Sequence, residues 1–254
     1  MKIIVVILIC LSFNAFASAT ITITGAVTDK FGKRVSKCDV FFNRTEWIKD
    51  ESIHVTCDEN GLYSAEIEPG LYNSVYVCDE EQYGKTALEF WGWNLVLTES
   101  QTLDAQFDTL EVFSLSTWAS NGGSPSMFAS FRPMSLKNDK QPNYTTVQKD
   151  KKLLAVIDIS PAIDTSSIKG FIDDHPLSLI DFHWVYEKVS SCDGFPNNID
   201  TSDGCYMPML IAQFAKPALE KGLHTFRLDL KDSENGDFGQ GKTSFTSNEF
   251  GLGF

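Results

Sequence analysis

Three pieces decide the fold: Thr24-Gly25-Ala26-Val27-Thr28-Asp29-Lys30-Phe31-Gly32, then Thr56-Cys57-Asp58-Glu59-Asn60-Gly61-Leu62-Tyr63, then Pro69-Gly70-Leu71-Tyr72. In each, an alternating or aromatic-rich run meets a turn built from Gly with Asp, Asn or Pro, the chemistry of antiparallel hairpins. Upstream, Ile21, Ile23, Gly25 and Val27 alternate with Thr20, Thr22, Thr24 and Thr28, which is a half-buried strand. Downstream, the pattern predicts strands from Cys38 to Phe42, Ser52 to Cys57, Leu62 to Ile67 and Leu71 to Cys78.

Before the first strand, Met1-Lys2 is followed by an apolar run from Ile3 to Leu11 and by Ala15-Phe16-Ala17-Ser18-Ala19. A positive start, a short apolar run and small residues at alternate positions describe a secretory signal peptide over 1–19, with cleavage after Ala17 or Ala19. The run is shorter than the roughly 20 residues that span a bilayer, and no later segment is apolar for that long. Cys10 lies inside the run, behind Ile9, so it reads as a discarded signal residue. The expected location is secreted, periplasmic or extracellular.

The remaining chain of about 235 residues is long enough for two sandwich-sized domains. Without Lys2, 20 basic residues face 34 acidic ones, a net charge of −14. Such a surface repels phosphate backbones and anionic lipid, so nucleic acid is not an expected partner.

Five cysteines follow the signal segment: Cys38, Cys57, Cys78, Cys192 and Cys205. Cys192 and Cys205 bracket one loop and are the simplest pair. A hairpin of 38–45 with 52–58 around Glu46–Glu51 places Cys38 opposite Cys57, within disulfide reach. Cys78 competes for either partner, or is a free thiol buried as a small hydrophobe.

The pattern Gly25-x-Val27-x-Asp29-x-x-Gly32, Asp39-Val40, Thr56-x-Asp58-x-x-Gly61-x-Tyr63 and Pro69-Gly70-x-Tyr72 resembles the carboxypeptidase regulatory-like domain. That resemblance covers roughly residues 20–108. It implies a seven-stranded, transthyretin-like sandwich completed by strands at 87–97 and 102–107, and an accessory module without catalytic residues. Arg34 stands where the family commonly has Pro, and Cys38 where a small Ala is usual. Further on, Leu219-x-x-Gly222-x-His224-x-Phe226-x-Leu228-x-Leu230-x-Asp232, then Asn235-Gly236 and Gly239, resembles the closing strands of bacterial Ig-like domains. The expected architecture is therefore all-β: a front sandwich over 20–108 and an Ig-like sandwich over 109–254. In the second, Leu110–Ala119 and Met127–Leu136 form a hairpin around 120–125, and the lysine-rich stretch 137–152 is an exposed loop.

Chemistry is sparser. Zinc-protease helices, nucleophile elbows, phosphate-cradling loops and dinucleotide fingerprints are all missing from the sequence, so no catalytic residue and no cofactor is expected. Phe90-Trp91-Gly92-Trp93 allows two readings. Trp91 and Trp93 are core aromatics on the face of Leu95 and Leu97, or with Trp118 they form an exposed sugar-stacking platform. Between Cys192 and Cys205, Asp193, Asn198, Asp200 and Asp203 offer hard oxygens to calcium, although turns use the same residues. Asp173 with His175, and Asp181 with His183, pair a carboxylate with an imidazole at strand spacing. His54 and His224 read as ordinary strand residues. The leading expectation is an exported, non-enzymatic binding or structural protein that engages carbohydrate or a cell-surface protein. A hydrolase of extracellular polymers acting near Asp173–His183, or a calcium-stabilised surface module, are the alternatives.

Overall fold

The computed structural model describes residues 20–45, 52–120 and 125–247. The expected signal segment 1–19, with Ala17 and Ala19, the expected turn over Glu46–Glu51 and residues 121–124 of the expected hairpin loop lie outside these. Regular structure in what is described is strand apart from one four-residue helix, so the chain is all-β.

β1 (Ile21–Thr28) lies between β4 (Leu62–Ile67) on one side and two short parallel partners, β7 (Gln101–Thr102) and β8 (Ala105–Gln106), on the other. Its alternation places Ile23 and Val27 in the core. Gly25 is required by close approach: a Cβ there would lie 2.2 Å from the Leu103 carbonyl oxygen and against the Tyr63 ring. The turns close as Asx turns. Asp29 Oδ1 accepts from the Phe31 and Lys33 amides, and Asp58 Oδ1 accepts from those of Asn60 and Leu62.

The second layer is an eight-stranded sheet that runs through the whole molecule. Its order is β14 (His175–Pro176), β13 (Ile168–Ile172), β17 (Gly222–Lys231), β18 (Phe238–Ser247), β6 (Phe90–Leu97), β5 (Gly70–Cys78), β2 (Asp39–Asn43), β3 (Ile53–Thr56). The last strand, β18, joins the front half through a parallel pairing with β6: Gly241 with Trp91, Lys242 with Gly92, Thr243 with Trp93. Residues in register share a face, and this fixes where the two cores sit. Phe42, Val75, Phe90 and Leu95 turn to one face and pack under β1 and β4. Phe226, Leu228, Leu230 and Phe245 turn to the other. There they meet a third, six-stranded sheet made of β9 (Leu110–Ala119), β10 (Ser126–Ser135), β16 (Cys205–Ala215), β12 (Lys152–Asp158), β11 (Asn143–Lys149) and β15 (Leu179–Val189). The molecule is thus two sandwiches sharing one sheet, with cores on opposite faces.

Both expected disulfides are present, Cys38–Cys57 and Cys192–Cys205, and Cys78 is free and buried. Asp39 pairs with Thr56 in β2–β3, so residues 38 and 57 face each other one step further along.

Two expectations need correction. Trp91 and Trp93 do not share a face with Leu95 and Leu97. Asn94 adopts φ 49° and, with Asn73 opposite, drops out of the ladder between the Ser74–Trp93 and Tyr72–Leu95 pairs; the register is the same on both sides of this gap, but the alternation reverses on both strands. Leu95 and Leu97 therefore enter the core while both tryptophans point to the opposite face. Residues 137–152 are not a loop either. A four-residue turn of helix, α1 (Leu136–Asp139), leads into β11, which pairs with β12 from Asn143–Asp158 to Lys149–Lys152. An edge strand needs few apolar residues, and its polar face masked the alternation of Thr145 and Val147.

Candidate functional site

Because the cores lie on opposite faces, the seam between the sandwiches is re-entrant on both sides. On one side is a cleft of about 260 Å³ lined by Leu95–Leu97 of β6, Gln101–Leu103, Asp173 and Asp174, and by Thr225, Arg227, Lys242 and Ser244. Arg227, Lys242 and Ser244 occupy the positions of β17 and β18 that point away from the second core. Arg227 packs its guanidinium 3.9 Å from the Phe171 ring centre, with Asp229 at 3.2 Å and Asp174 at 3.5 Å. Lys242 donates to the Asp104 carbonyl at 2.7 Å. Burial holds its pKa below the ordinary lysine value, Asp104 opposes this, and Arg227 adds to it. Ser244 Oγ accepts from the Val96 amide at 2.8 Å, stitching β18 to β6.

Asp173 and Asp174 form the β13–β14 turn, at φ 47° and 63°. Asp173 does not pair with His175, as its spacing predicts. Its Oδ2 lies 2.6 Å from His224 Nδ1, and its Oδ1 accepts from the Thr225 amide at 2.9 Å. His224 Nε2 lies 2.9 Å from the Glu220 carbonyl oxygen. Both ring nitrogens face acceptors, so only the doubly protonated ring satisfies both. Burial opposes that charge, but the bonds to Asp173 and Glu220 outweigh it and raise the His224 pKa. Both nitrogens are thus engaged, and the pair ties the β13–β14 turn to β17.

On the other side of the seam is an aromatic ladder. His54 stacks on Phe41 at 4.4 Å, Phe41 meets Tyr76 at 5.7 Å, Tyr76 meets Trp91 at 4.8 Å, and Trp91 stacks on Trp93 at 4.7 Å. Phe113 of β9 closes the row edge-on to both indoles, with Arg132 over its ring at 5.3 Å. Beneath it lie Glu89 and Glu111, each only 3 % exposed. Burial raises Glu89 to about 7, against the opposing pull of its own amide, Trp91 and Tyr83. Glu111 is raised well above the ordinary carboxylate range by burial and then by the Glu89 charge. The Trp91 indole N–H lies near enough to favour the ionised forms, yet makes no hydrogen bond of regular geometry.

The remaining expected site residues are dispersed. Trp118 is 41 % exposed and stacks on Phe128. It stands five residues beyond Phe113 along β9, roughly 16 Å away, so the three tryptophans do not form one platform. Asp181 and His183 pair at 3.2 Å on the surface, and His175 is exposed. In the disulfide-bounded loop, Asp193 binds the Ser191 hydroxyl and Asp200 the Ser202 amide, and Asn198 and Asp203 are exposed. Among the described residues no three His, Cys, Asp or Glu side chains converge as metal ligands would, so Asp193, Asp200 and Asp203 are not gathered into a cage. A second hollow of about 380 Å³ beside Asp29, Lys33, Asp79 and Gln82 is lined by carboxylates already engaged by their own turns.

Arg227, Lys242, Glu89 and Glu111 escape sequence reading. The available signal is polar alternation, Thr225-x-Arg227-x-Asp229 and Gln240-x-Lys242-x-Ser244, in strands whose other face is core. Among the described residues no helix is long and apolar enough to cross a membrane.

No protein-family model matches the chain, and no curated protein matches it. Among solved structures it is similar to a DUF3823 family protein from Parabacteroides merdae, at 14% identity over 84% of this chain and 91% of that one, with a TM-score of 0.28. It is also similar to BcpA, the major pilin subunit of Bacillus cereus, at 10% identity over 90% of this chain and 69% of that one, with a TM-score of 0.24.

Proposed function

We propose that this chain is an exported, non-catalytic binding protein, with a carboxypeptidase regulatory-like sandwich in front and an Ig-like one behind. Its ligand is a polyhydroxylated chain, a carbohydrate, held in the cleft between them. The observation that carries this reading is the lining of the cleft. Arg227, Lys242, Gln101, Thr102, Thr225 and Ser244 offer donors, and Asp173 and Asp174 offer acceptors, with two charges of each sign. Sugar hydroxyls need donors and acceptors together and no net charge, and ligand sites favour the junction of two domains. Two disulfides support export to an oxidising compartment.

Glycan-array binding followed by calorimetry with the best ligand tests the proposal. Asp174→Ala and Gln101→Ala, at exposed or half-exposed positions, should each weaken binding roughly ten-fold, the worth of one or two hydrogen bonds. Binding that both variants retain in full would place the ligand elsewhere.

A further inference from the structure

Glu89 and Glu111 come from different sandwiches. Glu89 leads into β6, and Glu111 lies on β9, which packs across β6 and β18. We propose that the pair is a proton-operated clasp between the two sandwiches, closed while the carboxyls hold protons and loosened when both ionise. Nothing in this depends on the ligand of the opposite cleft.

Each carboxyl has one buried oxygen without a partner, Oε2 of Glu89 and Oε1 of Glu111. Buried polar atoms are rarely left so, and protonation removes the buried charge that such an unpartnered oxygen would otherwise carry. With both ionised, two like charges face each other out of water.

The surroundings offer little relief. Tyr76 and Cys78 face Glu89 from β5 and Asp139 of α1 adds negative charge, while Tyr83, from the loop before β6, together with Trp91 and the Glu89 amide favours the ionised form of Glu89 but does not outweigh its burial. The cation acting on Glu111 is Arg132 of β10, whose guanidinium is already ion-paired with Glu187 and lies over Phe113. The loop carrying Tyr83 is tied to the second sandwich by Lys140 Nζ, which donates to the Lys85 carbonyl at 2.6 Å. Repulsion at the pair therefore acts on the contact between the halves, where the Trp91–Trp93 stack reports it.

The sign follows from linkage. Glu89 sits at about 7 in the folded chain against 4.5 ordinarily, so the folded state holds the proton more tightly. Stability is full below the ordinary value and falls as pH rises through the folded one, with Glu111 extending the loss upward.

The test is melting temperature and near-ultraviolet circular dichroism of the intact mature chain between pH 5 and pH 8, for wild type, Glu89→Gln and Glu111→Gln. Wild type should lose roughly 5–10 °C in Tm across that range, together with the dichroism of the stacked indoles. Each Gln variant should flatten the profile and melt above wild type at pH 8. His224 titrates in all three, so it drops out of the comparison. Parallel profiles for wild type and both variants would overturn the clasp. Should a variant not fold, carboxyl carbon-13 shifts in the wild-type chain decide. Titration of both glutamates near the ordinary 4.5 overturns the proposal, and a protonated signal persisting to pH 6.5 supports it.

Discussion

Asn94 occupies the left-handed region at φ 49° in the middle of a strand, a conformation Asn tolerates and β-branched residues do not. The break in alternation there sends Leu95 into the first core and Trp93 against the second. Asn94→Val should cost about 1–3 kcal/mol in urea unfolding, while Asn94→Gly is near neutral. An Asn94→Val variant of full stability would show that the left-handed backbone at Asn94 is not what sets the reversal. The free thiol of Cys78 offers a second check at this scale. Burial pushes its pKa up to about 12, so alkylation by iodoacetamide at pH 8 should occur only after unfolding. His224 supplies a third. Its folded pKa is raised, so its stabilising effect is present below 6.5 and fades as pH rises through the folded value. A His224→Gln variant should lose that dependence.

Among the elements, the disulfides act on hairpins the chain already specifies. Cys38–Cys57 closes a separation of 19 residues and Cys192–Cys205 one of 13. Loops of that size correspond to about 3 kcal/mol each in the chain-entropy account. Reduction should therefore lower Tm without loss of β signal in circular dichroism, and an unchanged Tm would show that neither bridge bears on stability. The β11–β12 hairpin carries a different lesson. Lys149, Asp150, Lys151 and Lys152 form its turn, with Asp150 at φ 52°. In sequence the same residues read as a charged loop, because charge is what protects an edge strand from further pairing.

For the whole molecule, the parallel β6–β18 pairing is decisive. It makes the edge of the front sandwich an interior strand and puts the last of the described strands at the centre of the longest sheet. Calorimetry should therefore show one cooperative transition for the intact chain. The fragment 20–108, lacking β18, should expose the β6 edge together with Trp91 and Trp93. It should melt lower or self-associate. Two resolved transitions in the intact chain would mean that the shared sheet does not couple the halves.

The turn chemistry at Asp29, Asp58 and Gly61 and the strand alternation are local, and they determine an all-β chain from sequence alone; the cysteine spacing favours the two bridges, but that Cys78 stays out of them only the tertiary structure decided. Short-range hydrogen bonds and pleat geometry need no distant partner to be legible. Gly25, Asp58 and Gly61 stand as read, as backbone and turn requirements. What faces what across the seam was decided only by tertiary structure. Asp173 meets His224 across a separation of 51 residues, Lys242 reaches the Asp104 carbonyl across 138, and Glu111 feels the charge of Glu89 from the other sandwich. The last two depend on a parallel pairing between strands far apart in the chain, and the face that Trp91 and Trp93 present depends on the break in alternation at Asn94. Neither leaves a periodic trace, because periodicity records which residues are buried and not against what.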